Sequence, residues 1–169
     1  MTEEPALRIS ELAGRTAFVT GGSRGIGRAV ALDLAAGGAR VAVHGRSAES
    51  AAEVAAILAV KGLYAGTLLA DLNQPEAAEE LAAKVTSALP ELDTVVLVAG
   101  ADVLTGAAAG LSFERKLETL LQVDVTATIL LARSLGRWMK EPGRGVVITV
   151  GWDQVAVGME GDSGELFAA

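Results

Sequence analysis

Short apolar, β-branched runs alternate with longer segments of helical periodicity along this 169-residue chain. Such alternation is typical of strands joined by helical crossovers, which form a parallel sheet covered by helices on both faces. Each run is almost continuously apolar, so we expect the strands to be buried on both faces. The five predicted strands are residues 16–20, 40–44, 64–70, 94–99 and 146–150. The length suits one domain, residues 1–169.

Three helices are predicted between the first four strands. In the first, Ile26, Val30 and Leu34 recur at a spacing of four and indicate its packed face. The second is an apolar-faced segment at residues 52–58. Asn73 is expected to cap the third, since a glutamate follows three residues later. One face of this third helix carries Leu81, Val85 and Leu89.

The fourth predicted helix is the longest and spans residues 112–140, after a loop at residues 101–110. Asp124 lies on an otherwise largely apolar stripe of this helix, with Leu117, Leu121, Thr128 and Leu131. Two interpretations stay open: the carboxylate has a function, or it reaches water at a helix bend. The second half is apolar on more than one face, at Ile129, Leu130, Leu131, Leu135, Trp138 and Met139.

A glycine-rich turn, Thr20-Gly21-Gly22-Ser23-Arg24-Gly25-Ile26-Gly27, follows the first predicted strand. The diphosphate of a dinucleotide requires a tight strand-to-helix turn with outward-pointing N–H groups and a helix N-terminus, whose partial positive charge favours anions. Gly21 can adopt the turn, Gly25 lets a ligand approach the backbone, and Gly27 allows close packing of helix on sheet. Its place inside a strand–helix–strand unit therefore predicts a dinucleotide site.

Thr20, Gly21, Gly25 and Gly27 match the T-G-x-x-x-G-x-G fingerprint of the short-chain dehydrogenases/reductases, and residues 7–150 resemble this family. The resemblance implies a doubly wound, Rossmann-type parallel sheet that binds the dinucleotide at the carboxyl ends of its strands, at the topological switch point. Five strands are visible here, without the family's last strands.

The resemblance also implies cofactor contacts at Asp71-Leu72 after the third strand and at Ala99-Gly100 after the fourth. Asp71 could equally be a turn residue before the third helix, and Ala99-Gly100 a small-residue strand exit. The residues that we expect to bind the cofactor are Gly21, Ser23, Arg24, Gly25, Ile26, Gly27, Arg46, Asp71, Leu72, Ala99 and Gly100.

The end of the second predicted strand distinguishes NAD(H) from NADP(H). Folds of this kind place an acidic residue there against the ribose hydroxyls of NAD. Here Gly45 occupies that place, Arg46 follows, and Arg24 adds a second cation from the glycine-rich turn. Two cations without a carboxylate suit a 2′-phosphate, which predicts NADP(H) in preference to NAD(H). Arg46 could instead be a solvated surface residue, and His44 is interpreted as a strand-end packing residue.

The residues that the family uses for catalysis are missing. The resemblance implies a tyrosine in a Y-x-x-x-K segment, since a nearby cation must lower the tyrosine pKa from about 10, together with a serine and a helix asparagine. The only tyrosine, Tyr64, lies in the third predicted strand and has no lysine four residues on. Gly151 and Trp152 stand at the serine's place, Asp124 at the asparagine's, and Phe167 in the region of the expected tyrosine.

The catalytic residues therefore remain unknown from the sequence, and two functions stay open. One is an NADP(H)-dependent oxidoreductase acting on a carbonyl or alcohol. The other is a catalytically silent NADP(H)-binding or interaction protein. Asp124 is the one candidate proton donor, because burial raises the pKa of a carboxyl group. The family's use of the fourth helix between subunits implies a homodimer or homotetramer.

The expected partners are the dinucleotide and, if the protein is active, a small-molecule substrate, and composition excludes several other classes. The 14 Lys and Arg against 21 Asp and Glu give a formal net charge of −7, which excludes a broad basic surface for nucleic acid or anionic lipid. The absence of cysteine and the single histidine exclude thiolate and histidine-cluster metal sites. No apolar run is long enough for a membrane span, and no secretory signal is visible, so we expect a cytoplasmic location.

Overall fold

The computed structural model describes residues 11–151, which form a five-stranded parallel sheet with helices on both faces. In chain order the elements are β1 (Thr16–Val19), α1 (Gly25–Ala36), β2 (Arg40–Gly45), α2 (Ala48–Val60), β3 (Tyr64–Leu69), α3 (Ala77–Ala88), β4 (Thr94–Leu97), a 3₁₀ turn (Gly106–Gly110), α4 (Phe113–Leu120), a π-helical segment (Leu121–Ala127), α5 (Thr128–Lys140) and β5 (Val146–Thr149). The predicted doubly wound fold is confirmed.

The strand order is β3-β2-β1-β4-β5, and every neighbouring pair is parallel. The chain runs outward from β1 to β2 and β3, and then crosses back to place β4 on the other side of β1. The carboxyl ends of β1 and β4 therefore flank the topological switch point, where open sheets of this kind bind their ligands.

Two apolar cores lie on opposite faces of the sheet, because successive side chains of a strand point to opposite faces. Ala17 and Val19 of β1 pack on one face in a cluster that includes residues of α1 and α2. Phe18, between them, packs on the other face with residues of α3 and α5. Helices cover both faces of β1, β2 and β4, whose side chains are almost all buried.

The expectation of burial on both faces is wrong for the two edge strands. Tyr64 and Leu69 of β3 are 38% and 40% exposed, and Val146 and Ile148 of β5 are 47% and 46% exposed. Each of these strands has a neighbouring strand on one side only. The apolar runs thus predicted the positions of the two edge strands in the sequence. The burial of their side chains depends on the order of strands in the sheet, which periodicity does not specify.

The packed face of α1 also differs from the prediction. Ile26 is 64% exposed, and the buried residues are Gly27, Ala31 and Ala35. The helix lies so close to the preceding turn that a Cβ on Gly27 would clash with the backbone carbonyl of Gly21. Small residues therefore occupy the contact line, and Val30 and Leu34 flank it half-buried.

The third helix begins later than the capping motif indicates. Asn73 does not cap it: α3 begins at Ala77, and the preceding Glu76 has a left-handed φ of 66°. The Asn73 backbone N–H donates instead to Asp71 Oδ1 over 3.2 Å, so an Asx turn occupies the segment. The predicted packed face of Leu81, Val85 and Leu89 is confirmed, since all three are buried.

The fourth predicted helix is present as α4, the π-helical segment and α5, which together form one long helix. Ser112 caps it by accepting a hydrogen bond from the Arg115 N–H. The π-helical segment was not predicted and changes the helix register. As a result Leu121 is 45% exposed, contrary to the predicted stripe, and the buried row is Leu120, Val123, Ala127, Leu131, Leu135 and Met139. The loop at residues 101–110 ends in the 3₁₀ turn.

Candidate cofactor site at the carboxyl edge of the sheet

The glycine-rich turn connects β1 to α1 at the carboxyl edge of the sheet, beside the switch point. Gly21 and Gly25 have φ values of 64° and 54°, the left-handed region that favours glycine. A Cβ on Gly25 would have no atom within 4 Å, so the space above this residue is open. Gly27 instead faces Gly21 at backbone contact. Gly21 and Gly27 thus shape the turn, and Gly25 leaves its outer side accessible.

Gly22 was not among the expected site residues, yet the structure requires glycine there. A Cβ on Gly22 would lie 2.9 Å from two side-chain carbons of Val43. Its backbone N–H donates to the His44 carbonyl over 3.0 Å. Glycine at position 22 therefore allows the turn to pack directly against β2. The pair of adjacent glycines, Gly21 and Gly22, was the sequence feature from which this close packing could have been predicted.

Thr20 connects the turn to the exit of β4. Its buried side-chain Oγ1 accepts hydrogen bonds from the backbone N–H groups of Val98 and Ala99, over 2.9 and 3.0 Å. The backbone N–H of Thr20 donates to the Val96 carbonyl. These bonds hold the glycine-rich turn and the segment after β4 at a fixed separation on either side of the switch point.

His44 connects the turn to the exit of β3. Its ring is buried, with Nδ1 3.2 Å from the Gly21 nitrogen and Nε2 3.1 Å from the Ala70 carbonyl oxygen. Since an amide can only donate and a carbonyl can only accept, Nδ1 accepts and Nε2 donates, which is the neutral ring. Burial lowers the pKa of His44 from its ordinary 6.5. The sequence interpretation of a packing residue missed both bonds.

Arg46 and Gly45 follow His44 at the same edge. The Arg46 side chain is exposed, and within residues 11–151 it forms no salt bridge. A Cβ on Gly45 would lie 3.5 Å from Ser23 Cβ, an ordinary contact. Packing therefore does not require glycine at position 45 for want of space at the Cβ.

Arg24 precedes α1 with an extended backbone and an exposed side chain. Its positive charge is the smallest of the causes that lower the pKa of Asp102, after hydrogen bonds from Thr105 and Leu104. Asp102 lies after β4. Arg24 therefore faces toward the β4 side of the switch point, whereas Arg46 lies on the β2 side.

Asp71 and Leu72 follow β3. Asp71 Oδ1 accepts from the Asn73 N–H, and Oδ2 accepts from Gln74 Nε2 over 3.3 Å, as the turn interpretation expects. Asp71 is exposed, and it is the carboxylate whose charge acts on His44. The Leu72 side chain is buried in the core, so a contact of this residue with a ligand would come from its backbone.

Ala99 and Gly100, after β4, lie across the switch point from the turn. A Cβ on Gly21 would be 3.0 Å from Ala99 Cα, so the two segments touch. Asp124 Oδ1 accepts from the Ala101 N–H over 2.8 Å, and burial raises the pKa of Asp124. Asp124 is half-buried and lies in the π-helical segment. Its carboxylate therefore connects this segment to the loop after β4.

The remaining expected site residues lie on the turn and at the helix start. Ser23 is half-buried, and Ile26 is 64% exposed at the first turn of α1. All eleven expected residues therefore surround the carboxyl edge, from the exit of β3 to the exit of β4. Within residues 11–151 no group of three His, Cys, Asp or Glu side chains could hold a metal ion, and no helix is long and apolar enough to cross a membrane.

Tyr64 lies far from this edge. It is the first residue of β3 and pairs with Val41, near the amino end of β2, and its hydroxyl donates to Thr67 Oγ1 over 3.0 Å. It therefore lies at the amino end of an edge strand, away from the glycine-rich turn. Gly151 is exposed after β5. Trp152 and Phe167 lie outside the described residues.

Comparison with known proteins gives one consistent family. A family model described as short chain dehydrogenase matches residues 15–163. The 2,3-dihydro-2,3-dihydroxybenzoate dehydrogenase of Bacillus subtilis (strain 168) is 32% identical over 144 residues, which are 85% of this chain and 54% of that protein. This chain thus spans about half the length of the curated relatives it matches.

Two solved structures share the fold over nearly the whole chain. A metagenomic short-chain oxidoreductase in complex with NADP aligns with a TM-score of 0.82 and 30% identity, over 94% of this chain and 71% of that one. A 3-oxoacyl (acyl-carrier-protein) reductase from Agrobacterium tumefaciens C58 with NADP bound aligns with a TM-score of 0.81 and 29% identity, over 98% and 62%.

Proposed function

The chain belongs to the short-chain dehydrogenase family, and on that premise we propose that it binds NADP(H) at the glycine-rich turn, as part of an oxidoreductase acting on a carbonyl or alcohol. The observation that carries the proposal is the turn at the switch point, with Gly21 and Gly25 at positive φ and open space above Gly25. This geometry admits a diphosphate to the backbone at the start of α1.

The residues at this edge fit the cofactor. The first turn of α1 contains no acidic residue, so its partial positive charge is free to attract an anion. The backbone around Gly25 would hold the diphosphate, and exposed Asp71 is available to the adenine portion. Ala99 and Gly100 would lie along the cofactor's path. NADP(H), when bound, supplies or accepts a hydride.

We further propose that NADP(H) is preferred over NAD(H), chiefly through Arg46. Two structures that resemble this chain contain NADP, and here Gly45 leaves no carboxylate to repel a 2′-phosphate. A charge-assisted arginine contact contributes about 1.5–3 kcal/mol, or roughly 10- to 150-fold. Because Arg46 is exposed, we expect the lower end, near tenfold. Arg24, from the glycine-rich turn, is the second cation expected to contribute.

Fluorescence titration with NADPH and NADH tests this preference. Arg46→Asp should remove it, and Gly45→Asp should tighten NADH binding, since a Cβ at this position meets only ordinary contacts and the carboxylate could accept from the ribose hydroxyls. Arg40→Asp makes the same charge change at the other end of β2, near Glu91, and is the matched control. Equal affinities in the unmodified protein, or an unchanged preference in Arg46→Asp, would overturn the assignment.

Replacement of Gly25 tests the location. Gly25→Val should abolish NADPH binding in a folded protein, because a branched side chain would fill the open space above the turn. Gly62→Val is the control: Gly62 also has a positive φ of 69° and open surroundings, but it precedes β3 at the opposite edge of the sheet. Undiminished binding in a folded Gly25→Val protein would reject the site.

A catalytically silent NADP(H)-binding protein is the second candidate, and the position of Tyr64 favours it. Since no Y-x-x-x-K segment exists in the 169 residues, we expect this chain by itself to give no steady turnover. Positioned acid–base catalysis contributes about 10²- to 10⁴-fold. Steady NADPH oxidation across a carbonyl panel would reject the silent function. Loss of that turnover in Asp124→Ala, with NADPH binding retained, would identify Asp124 as the proton donor.

We also propose a homodimer or homotetramer formed through the long helix. Leu121, Val125 and Ile129 are 45%, 46% and 59% exposed at a spacing of four, which is an apolar row without cover within residues 11–151. Leu131, Leu135 and Met139, also expected to contribute, are buried in the core, so they cannot contact another subunit. Light scattering after gel filtration should show an oligomer that Ile129→Glu dissociates; a monomer at micromolar concentration would contradict the proposal.

A further inference from the structure

His44 is the one buried titratable ring in the described part of the chain, and it bonds two segments of the cofactor edge at once. Its Nδ1 accepts the Gly21 N–H over 3.2 Å and its Nε2 donates to the Ala70 carbonyl over 3.1 Å. The His44 backbone carbonyl accepts from Gly22. One residue at the end of β2 therefore holds the first two glycines of the turn.

The Gly21 bond constrains the position where the turn changes direction. Gly21 has a φ of 64° and touches Ala99, so its peptide planes set the path of the chain toward Gly25. The bond exists only while Nδ1 carries no proton. A second proton on the ring would sit on Nδ1 and point at the Gly21 N–H. Two hydrogen-bond donors would then face each other, and the bond would be lost.

We propose that His44 is a positioning residue for the dinucleotide: it fixes the glycine-rich turn in its binding conformation, and its protonation releases the turn and weakens cofactor affinity. This inference rests on the proposed cofactor site. His44 contacts the turn and not the ligand, and its protonation would make dinucleotide binding depend on pH in the acid range.

The charges around His44 set the direction of this dependence. On the β3 side, the Asp71 carboxylate favours a protonated ring. On the turn side, His44 bonds to backbone groups, and the charged side chain of that segment is Arg24. Arg46 directly follows β2. Neither cation favours a further positive charge on the ring. Burial is the largest effect and lowers the pKa of His44 below 6.5. The affinity should thus be constant around neutral pH and fall in the acid range, as the pH approaches the lowered pKa of His44.

Isothermal titration calorimetry of the whole chain with NAD⁺ and NADP⁺ between pH 5 and 8 tests the proposal. The oxidised cofactors are acid-stable. NAD⁺ is the decisive probe, since a phosphate monoester such as the 2′-phosphate takes up a proton near pH 6 and the diphosphate linkage does not. We expect the NAD⁺ affinity to fall by at most tenfold per pH unit once His44 begins to protonate. Circular dichroism at each pH verifies that the protein is folded.

Two variants separate positioning from packing. His44→Asn keeps an acceptor at the place of Nδ1 and cannot titrate, so it should bind NAD⁺ nearly as the parent does at pH 8 and show no loss to pH 5. His44→Phe keeps the ring volume without the acceptor and should bind roughly 2- to 12-fold more weakly at every pH, the loss of one hydrogen bond. A packing role would give the reverse ranking, because Phe fills the space and Asn does not.

The outcomes distinguish this inference from the proposed function. Absence of NAD⁺ and NADP⁺ binding at pH 8 in the folded parent would reject the cofactor site itself. If NAD⁺ binds at pH 8 and its affinity is the same down to pH 5, only the role of His44 is rejected. Equal affinity in the parent and in His44→Phe would have the same consequence. If either variant fails to fold, the pH profile of the parent protein decides the question.

Discussion

Alanine at Gly27 should weaken the fold and the cofactor site together, although alanine usually stabilises a helix. A Cβ at Gly27 would lie 2.7 Å from the Gly21 carbonyl carbon and 3.2 Å from the Gly22 nitrogen. These are backbone atoms that cannot rotate away, so α1 or the turn must move. Overpacking of this kind costs typically about 1–3 kcal/mol, and helix propensity returns roughly 0.5–1 kcal/mol.

The net expectation is a free energy of unfolding lowered by up to about 2.5 kcal/mol in Gly27→Ala. Gly136→Ala is the matched control. Gly136 lies inside α5, and a Cβ there would have no atom within 4 Å. That variant should therefore be stabilised by about 0.5–1 kcal/mol. The same substitution thus has opposite signs at the two positions.

Urea unfolding followed by circular dichroism measures both free energies, and NADPH titration measures binding. Gly27→Ala should be less stable than the parent and bind NADPH at least tenfold more weakly, since the turn is displaced. Gly136→Ala should leave the affinity unchanged. If Gly27→Ala were as stable as the parent and bound NADPH equally, the close contact between α1 and the turn would not be what fixes this site.

Three further results follow from the same edge of the sheet. Thr20→Val, which leaves the Val98 and Ala99 N–H groups without their acceptor, should cost about 1–3 kcal/mol in urea unfolding, and Thr20→Ser should restore most of it. Asp124→Asn should raise the melting temperature at pH 7, because burial raises the pKa of Asp124 and penalises the charged form; the gain should shrink as the pH falls through the raised pKa and the parent carboxyl becomes protonated as well. Asp124→Ala also removes the charge but loses the bond from Ala101, so it should be less stable than Asp124→Asn by about 0.5–1.5 kcal/mol at both neutral and acid pH, and equal effects of Asn and Ala would contradict the role of that bond.

The strands and their class were predictable because each is a short apolar run between turn signals, and all five occur within two residues of the predicted limits. The packed face of α1 was not predictable from its spacing of four. It is set by the backbone contact of Gly27 with Gly21, so small residues lie inward and Ile26 outward. Periodicity shows which side chains of a helix are apolar. It does not show how closely the helix packs against its neighbours, which here determines which residues face inward.

The turn itself was predictable because glycine is needed wherever φ is positive or backbones touch. The residues that brace it were not. His44 reaches partners 23 and 26 positions away in the chain, and such pairings depend on strand order. The π-helical segment at Asp124 was equally hidden, since it arises where the long helix meets the loop after β4, and nothing local in its sequence separates it from an α-helix.

Nuclear magnetic resonance of the ¹⁵N-labelled protein tests the central claim most directly, by locating the dinucleotide on the chain. Saturating NAD⁺ and NADP⁺ should each shift the backbone amides of residues 21–27 and of Ala99 and Gly100. NADP⁺ should additionally shift Arg46 and its neighbours, which NAD⁺ should affect much less. Shifts confined to another surface, or identical responses around Arg46 to both cofactors, would contradict a dinucleotide held at the glycine-rich turn with its 2′-phosphate at Arg46.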